Sequence, residues 1–104
     1  MTNILIVEDD PMVQFIHRNY LEKLGTFETI YSSETIAEAK KLLASRSIQL
    51  ILLDIRLKDG NGIDFLTELR RTKQMVDVIL ITAANEVEIV NDALHLGVID
   101  YLIK

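Results

Sequence analysis

Residues 3–10 read NILIVEDD, an unbroken apolar run that ends in three consecutive carboxylates. Three further apolar runs also end at a polar residue: 50–54 (LILLD), 78–82 (VILIT) and 101–104 (YLIK). Runs of this length without polar alternation are typical of strands buried on both faces of a parallel sheet. The binding crevice of an open parallel sheet lies outside the carboxyl ends of its strands. The sequence therefore predicts that carboxylates, a hydroxyl and an ammonium group meet at one sheet edge.

The first segment between these runs carries clear helix signals. Asp10 as N-cap and Pro11 at the first helical position predict the start of a helix, and Gly25 predicts its end. The apolar residues of this helix recur at helical spacing, and we expect them to form its buried stripe: Met12, Phe15 or Ile16, Tyr20 and Leu24.

Strand and helix signals alternate along the rest of the chain. Further strands are predicted over Thr26–Tyr31, Ile48–Leu53, Val76–Ile81 and Val98–Ile103. Three further helices are predicted between these strands. The first is capped by Ser32 or Ser33, and its buried stripe is Ile36, Ala39, Leu42 and Leu43. The second follows a loop at Arg56–Gly62, and the third begins with a capping box formed by Asn85 and Glu88.

Five strands and four helices in strict alternation predict an α/β fold with right-handed crossovers. The topology that fits is a doubly wound five-stranded parallel sheet of order 2-1-3-4-5, which is the flavodoxin-like order. Strands one and three are neighbours in this order. We therefore expect Glu8 and Asp9 to lie beside Asp54.

Crowded carboxylates repel one another unless a cation offsets their charge. Oxygen ligands without a nearby His or Cys suit Mg²⁺, which takes one or two carboxylates and keeps several waters. A carboxylate beside Mg²⁺, with Lys and Thr facing it, is a plausible nucleophile toward phosphorus. The pattern thus favours formation of an aspartyl phosphate.

Each of these residues also has a structural interpretation. Asp10 is assigned to helix capping, Asp54 alone would more often be a turn residue, Thr82 alone could make a local turn contact, and Lys104 alone could be a solvated terminus. The functional interpretation is favoured because the residues are expected at the same sheet edge.

Composition narrows the classes of function. With 104 residues the chain is expected to form one domain, and its net charge of −5 makes it a poor binder of nucleic acid by itself. No apolar stretch approaches the ~18–20 residues of a membrane span, and a strand follows Met1–Asn3 directly, so we expect neither membrane insertion nor a signal peptide. The chain has no cysteine, which is compatible with a cytoplasmic location.

Four motifs occur in order: ILIVEDD, LILLDIRLKDGNG, ILITA and DYLIK. This pattern is similar to the receiver domain of bacterial two-component response regulators across the whole chain. The resemblance implies a phosphoacceptor module and not a conventional enzyme. Such a module catalyses only its own phosphorylation and dephosphorylation. It also implies Mg²⁺ as cofactor and a sensor histidine kinase as partner.

The resemblance also implies a role for each matching residue. Asp54 would be the phosphoacceptor and Asp9 the direct Mg²⁺ ligand, with Glu8 acting through water and the Arg56 backbone carbonyl completing the protein ligands. Thr82 and the N–H of Ala83 would bind a phosphoryl oxygen, and Lys104 would pair with the phosphoryl group and with Asp54. Tyr101 matches an aromatic residue that turns inward on activation, and Gly62 matches the glycine of the loop after the phosphoacceptor.

The chain departs from the family pattern in two respects. Lys58 stands where the family often has Pro, so we expect a less rigid loop there. The chain ends at Lys104, without the fifth helix, which makes it look like a fragment whose full-length protein continues into a C-terminal DNA-binding output domain. Its opening resembles regulators of carboxylic-acid uptake. We expect the uncovered apolar face to promote a homodimer.

Two other classes of function are alternatives for this sequence. A Mg²⁺-dependent phosphohydrolase would carry its nucleophile after strand one and a substrate-specificity insert, for which Pro11 and the following helix leave no room. A flavin-binding module would need a Ser/Thr/Gly-rich phosphate loop where residues 8–10 are acidic. Both fit less well than a phosphoacceptor module.

Overall fold

The computed structural model describes residues 2–104. Five parallel strands form one sheet in the order β2-β1-β3-β4-β5, so the predicted order 2-1-3-4-5 is confirmed. The strands are β1 (Thr2–Val7), β2 (Phe27–Ser33), β3 (Leu50–Asp54), β4 (Asp77–Thr82) and β5 (Val98–Ile103). Asp54 and Thr82 are the last residues of their strands, which places both at the carboxyl edge of the sheet.

Four helices connect the strands of the sheet. They are α1 (Pro11–Leu24), α2 (Ile36–Ser45), α3 (Gly62–Arg71) and α4 (Val87–Ala93), and α4 is flanked by 3₁₀ turns at Ala84–Glu86 and Leu94–Leu96. The predicted start and end of α1 are confirmed. The Asp10 side chain accepts hydrogen bonds from the N–H groups of Met12 and Val13, and Gly25 has a left-handed φ of 66°.

The two faces of the sheet carry separate apolar clusters because side chains alternate along each strand. Ile4, Ile6, Leu52 and Ile81 lie on the face that α1 partly covers. Leu5, Val7, Leu53 and Leu80 belong to the larger cluster on the other face, which also contains residues of α2, α3 and α4. Within residues 2–104, no helix has the length and apolar character needed to cross a membrane.

The predicted buried stripe of α1 is wrong. Met12 and Phe15 are 66% and 56% exposed, and Ile16, Tyr20 and Leu24 are also exposed. Leu21 packs against the sheet instead, and His17 lines a cleft of about 220 Å³ between α1 and the strands. Apolar residues lie on more than one side of α1, so their spacing alone could not identify the face that packs on the sheet.

The predicted cap of α2 is also wrong. Ser32 and Ser33 belong to β2, which pairs with β1 as far as Val7 and Ser33. The N-cap is Thr35, whose side chain accepts a hydrogen bond from the Glu38 N–H. Both serines have strand partners on β1, so neither is available to cap α2.

The segment predicted as a loop at 56–62 contains a small hairpin, and its last residue begins α3. Arg56–Leu57 pairs antiparallel with Gly60–Asn61, and Asn61 caps α3 by accepting from the Ile63 N–H. Asp59 at the hairpin tip accepts hydrogen bonds from the N–H groups of Ile36 and Ala37. The hairpin is thereby attached to the N-terminus of α2.

The predicted capping box of Asn85 and Glu88 is wrong. Ala84–Glu86 forms a 3₁₀ turn, α4 begins only at Val87, and no side chain among residues 2–104 caps it. Glu86 stands at the N-cap position, but its carboxylate bonds to Arg56. A long-range ion pair therefore replaces the local cap.

Candidate functional site

Three carboxylates converge at the carboxyl edge of the sheet. Glu8 and Asp9 follow β1, Asp54 ends β3, and these two strands are paired side by side. One oxygen from each carboxylate lies within 4.8 Å of the others. The structure therefore brings together the acidic residues that the sequence placed at one edge.

Glu8 is the most constrained of the three carboxylates. It is fully buried, and its Oε1 atom has no hydrogen-bond partner among the described residues. Burial raises the pKa of Glu8 to about 7, and the neighbouring Asp54 adds to this effect. A buried oxygen without a donor, beside two more carboxylates, fits a hard divalent cation such as Mg²⁺, either directly or through its water.

Lys104 supplies positive charge to the same site. Its Nζ donates a hydrogen bond to Oδ2 of Asp54 at 2.8 Å and lies 3.4 Å from Oε1 of Glu8. Burial acts to lower the pKa of Lys104, but the hydrogen bond to Asp54 and the two carboxylate charges outweigh it and raise the pKa overall. The ammonium is therefore held in its charged form beside Asp54.

Gly62 packs directly beneath Asp54. Its N–H donates to the Ile55 carbonyl at 2.6 Å, and a Cβ added there would lie 2.3 Å from the backbone oxygen of Asp54. Only glycine allows α3 to begin this close to the end of β3. The glycine that the sequence comparison with receivers singled out thus positions the backbone of the candidate acceptor.

Thr82 and Tyr101 lie on the next two strands. Thr82 is buried, and its hydroxyl donates to the Ala83 carbonyl at 3.1 Å. Its own carbonyl accepts from the Lys104 N–H at 2.8 Å, which ties the end of β4 to the end of β5. Tyr101 is half-buried and packs against the larger core cluster. The hydroxyl therefore stands at the site edge, with the aromatic on the adjacent strand.

Arg56 has two contacts at the site. Its backbone N–H donates to Oδ1 of Asp54 at 3.4 Å, and its guanidinium Nε donates to Oε2 of Glu86 at 2.5 Å. The sequence drew attention to the Arg56 carbonyl but missed Glu86, a buried carboxylate after β4. No spacing pattern identifies Glu86, because its partner is 30 positions away.

Gln14 is a second residue that sequence reasoning missed. Its Nε2 donates to the carbonyl oxygens of Glu8 and Ser33, at 3.1 and 3.2 Å. The amide of α1 therefore joins the ends of β1 and β2 directly behind the acidic pair. The only feature of the sequence that could have indicated this role is a polar residue four positions after the N-cap Asp10, one turn inside the predicted helix.

The fold and this site together define a class of protein. Residues 4–104 match the family described as the response regulator receiver domain. The chain therefore belongs to the response regulator receiver domain family, the phosphoacceptor module of two-component systems, as the sequence motifs predicted.

Individual relatives agree with this assignment. The chain is 43% identical over 104 residues to the transcriptional regulatory protein MalR of Bacillus subtilis (strain 168), covering 100% of this chain and 44% of that protein. It is 39% identical over 106 residues to the transcriptional regulatory protein DcuR of Escherichia coli (strain K12), with the same two coverages. The solved structure of the MaeR response regulator bound to beryllium trifluoride is 93% identical, with a TM-score of 0.81, covering 100% of this chain and 85% of that one.

The chain spans about half the length of the curated relatives that it matches. Those relatives are transcriptional regulators, and the matched part is their receiver domain. What the chain shares with them is therefore the receiver part alone.

Proposed function

We propose that Asp54 accepts a phosphoryl group from a sensor histidine kinase. The observation that carries this proposal is the position of Asp54, which is buried between two further carboxylates and the Lys104 ammonium at 2.8 Å. An Asp54 oxygen forms a bond to phosphorus while the bond from phosphorus to the donor's imidazole nitrogen breaks. The phosphoryl group passes between the two without redox change, and the kinase histidine leaves with the bonding electron pair.

Several residues would act on the transferred group. Lys104 would pair with a phosphoryl oxygen, and Thr82 with the N–H of Ala83 would bind another. Asp9, Asp54 and the Arg56 carbonyl would hold Mg²⁺, with Glu8 acting through water. When bound, Mg²⁺ supplies positive charge that balances the carboxylates and the phosphoryl oxygens. Beryllium trifluoride bound to the MaeR response regulator supports this arrangement, because it mimics a phosphoryl group.

The reaction does not require a conventional enzyme activity. Apart from its own phosphorylation and dephosphorylation, the module would act as a switch that passes a conformational change from Thr82 to Tyr101. The relatives' names and lengths support a C-terminal DNA-binding output domain in the full-length protein and a cytoplasmic site of action. The net charge of −5 argues against nucleic-acid binding by these residues themselves.

Two surfaces would serve partners. The exposed apolar residues of α1, which include Met12 and Phe15, suit docking of the kinase, and the cleft beside Leu102 and Tyr20 suits self-association. Sedimentation of the parent protein against a Leu102→Glu variant tests the second idea. We expect the charge to shift a dimer toward monomer, and a monomeric parent would contradict it.

The phosphoacceptor assignment is tested by acetyl phosphate and Mg²⁺. The parent protein should gain the mass of one phosphoryl group, which acid-labile chemistry places on the peptide containing Asp54. An Asp54→Asn variant should keep its circular dichroism spectrum and gain no such mass. Full labelling of the variant at the same peptide would remove Asp54 from this role.

A further inference from the structure

Helix α4 is short and has little local support. It covers seven residues between two 3₁₀ turns, and no side chain among residues 2–104 caps its N-terminus. Isolated helices of this length are unstable, so α4 depends on tertiary contacts. Besides its buried Val90 and Ala93, it has an arginine contact near each end.

The two arginines come from the segment between β3 and β4. At the far end, Nε of Arg70 donates to the Leu96 carbonyl at 2.6 Å, and Nη2 donates to the Gly97 carbonyl at 3.4 Å. At the near end, Arg56 bonds to Glu86, the residue that precedes α4. The Arg70 contact is remote from the carboxylates, whereas the Arg56 contact is adjacent to Asp54.

The contact between Arg56 and Glu86 is also the one that a change at Asp54 can affect. The Glu86 carboxylate is 9% exposed and the Arg56 side chain is 75% exposed, so a solvent-accessible cation pairs with a largely buried anion. The N–H of the same Arg56 donates to the Asp54 carboxylate. A dianionic group on Asp54 changes both the charge and the geometry around this residue, and it competes with Glu86 for the guanidinium.

We infer that Arg56 and Glu86 form a latch that holds the segment carrying Thr82, Ala83 and the start of α4 in its resting arrangement. The inference rests on the proposed function, because the latch is released by the phosphoryl group on Asp54. Arg70 then acts as the fixed end about which the start of α4 moves. Both latch residues are positioning residues.

The test compares Glu86→Gln with Glu34→Gln. Each variant removes one carboxylate of an ion pair at this end of the molecule, but the Glu34 pair with Lys58 is exposed and 3.9 Å long. Beryllofluoride affinity with Mg²⁺ would be measured by titration. The Glu86→Gln variant lacks a contact that holds the resting arrangement, so beryllofluoride no longer has to break it. The variant should therefore bind beryllofluoride on the order of fivefold more tightly, which is the effect of one ion pair. Glu34→Gln should match the parent protein.

Hydrogen exchange supplies a readout that does not depend on the bound group. Without beryllofluoride, Glu86→Gln should exchange the amides of residues 86–93 several-fold faster, whereas residues 94–97 at the Arg70 contact should keep the parent rate. Arg56→Lys keeps a cation and should restore most of the protection that Arg56→Gln loses.

The outcomes separate the two proposals. If the parent binds beryllofluoride and Glu86→Gln neither binds it more tightly nor exchanges faster, the latch is wrong and the proposed function stands. Weaker binding by Glu86→Gln would show that the pair prepares the site rather than restrains it, which also overturns the latch. If the parent fails to bind, both proposals fall.

Discussion

The Lys104 ammonium lies 2.8 Å from Oδ2 of Asp54, although 50 positions separate the two residues. The contact exists because β3 and β5 both flank β4, so that the ends of these strands reach the same sheet edge. Lys104 Nζ also lies 3.4 Å from Oε1 of Glu8, which follows β1 directly. A single cation therefore lies within 3.4 Å of carboxylates at the ends of two neighbouring strands.

Asp9→Ala should weaken Mg²⁺ binding without unfolding the protein. Asp9 is the least buried member of the three-carboxylate cluster, so its loss leaves the core intact. Isothermal titration should show at least about a tenfold loss of affinity, typical for removal of a ligand or its direct support. Asp10→Asn is the matched control, because Asp10 caps α1 and lies outside the cluster. An unchanged titration for Asp9→Ala would exclude it as a ligand.

Gly62→Ala should damage both stability and the site. The added methyl would lie 2.3 Å from the Asp54 carbonyl oxygen, so the backbone of the candidate acceptor must move. We expect a loss of about 3 kcal/mol in unfolding free energy, the upper range for overpacking, together with weaker beryllofluoride binding. Urea melts and ligand titration would measure the two effects.

Gly25→Ala is the control for Gly62→Ala. Gly25 has a φ of +66° but nothing within 4 Å of its added Cβ, so the cost is backbone strain alone, about 1 kcal/mol. Its beryllofluoride affinity should equal that of the parent. Equal effects of the two substitutions on affinity would show that contact with Asp54 is not the reason for glycine at position 62.

His17 should make stability depend on pH. Burial lowers the pKa of His17 below its ordinary value of 6.5, and the Lys104 charge adds to this. As the pH falls, His17 is therefore protonated in the unfolded chain at a higher pH than in the folded protein. Its contribution to the free energy of unfolding is fully present above pH 6.5 and is lost as the pH falls through the lower pKa of the folded protein. Glu8, whose pKa is raised, acts in the opposite direction.

The His17 effect is measured as a difference between variants. Urea melts between pH 7.5 and pH 5 should show that His17→Gln loses less stability on acidification than the parent does. A His95→Gln variant controls for removal of one imidazole, because His95 lies on an exposed turn. Parallel curves for the parent and His17→Gln would contradict the prediction.

Thr82 and Tyr101 should couple the bound group to the surface. A hydroxyl drawn toward a phosphoryl oxygen vacates space that the aromatic on β5 can enter. We expect beryllofluoride to shift the amide NMR signals of residues 86–101 in the parent, and Thr82→Ala to bind it with much smaller shifts at Tyr101. Thr67→Ala, on α3, is the control for loss of a threonine hydroxyl. Shifts confined to residues 8, 9 and 54 would rule out this route.

Local sequence patterns predicted the elements that depend on neighbouring residues. The β5 bounds, the Asp10 cap and the Gly25 stop agreed with the structure because each reflects short-range sterics or hydrogen bonding. The cap of α2 and the supposed capping box of α4 did not agree. In both cases a tertiary partner, the β1 pairing or Arg56, took the place of the local interaction.

The sequence by itself determined the sheet order and the meeting of Glu8, Asp9 and Asp54 at one edge. Apolar strands with polar ends admit few parallel topologies, and the ends of parallel strands share an edge. Only the tertiary structure decided which face of α1 packs on the sheet, that Asp59 accepts hydrogen bonds from the N-terminus of α2, and that Glu86 pairs with Arg56. Those contacts join residues far apart in the chain, and their free energy depends on packing that no local spacing records.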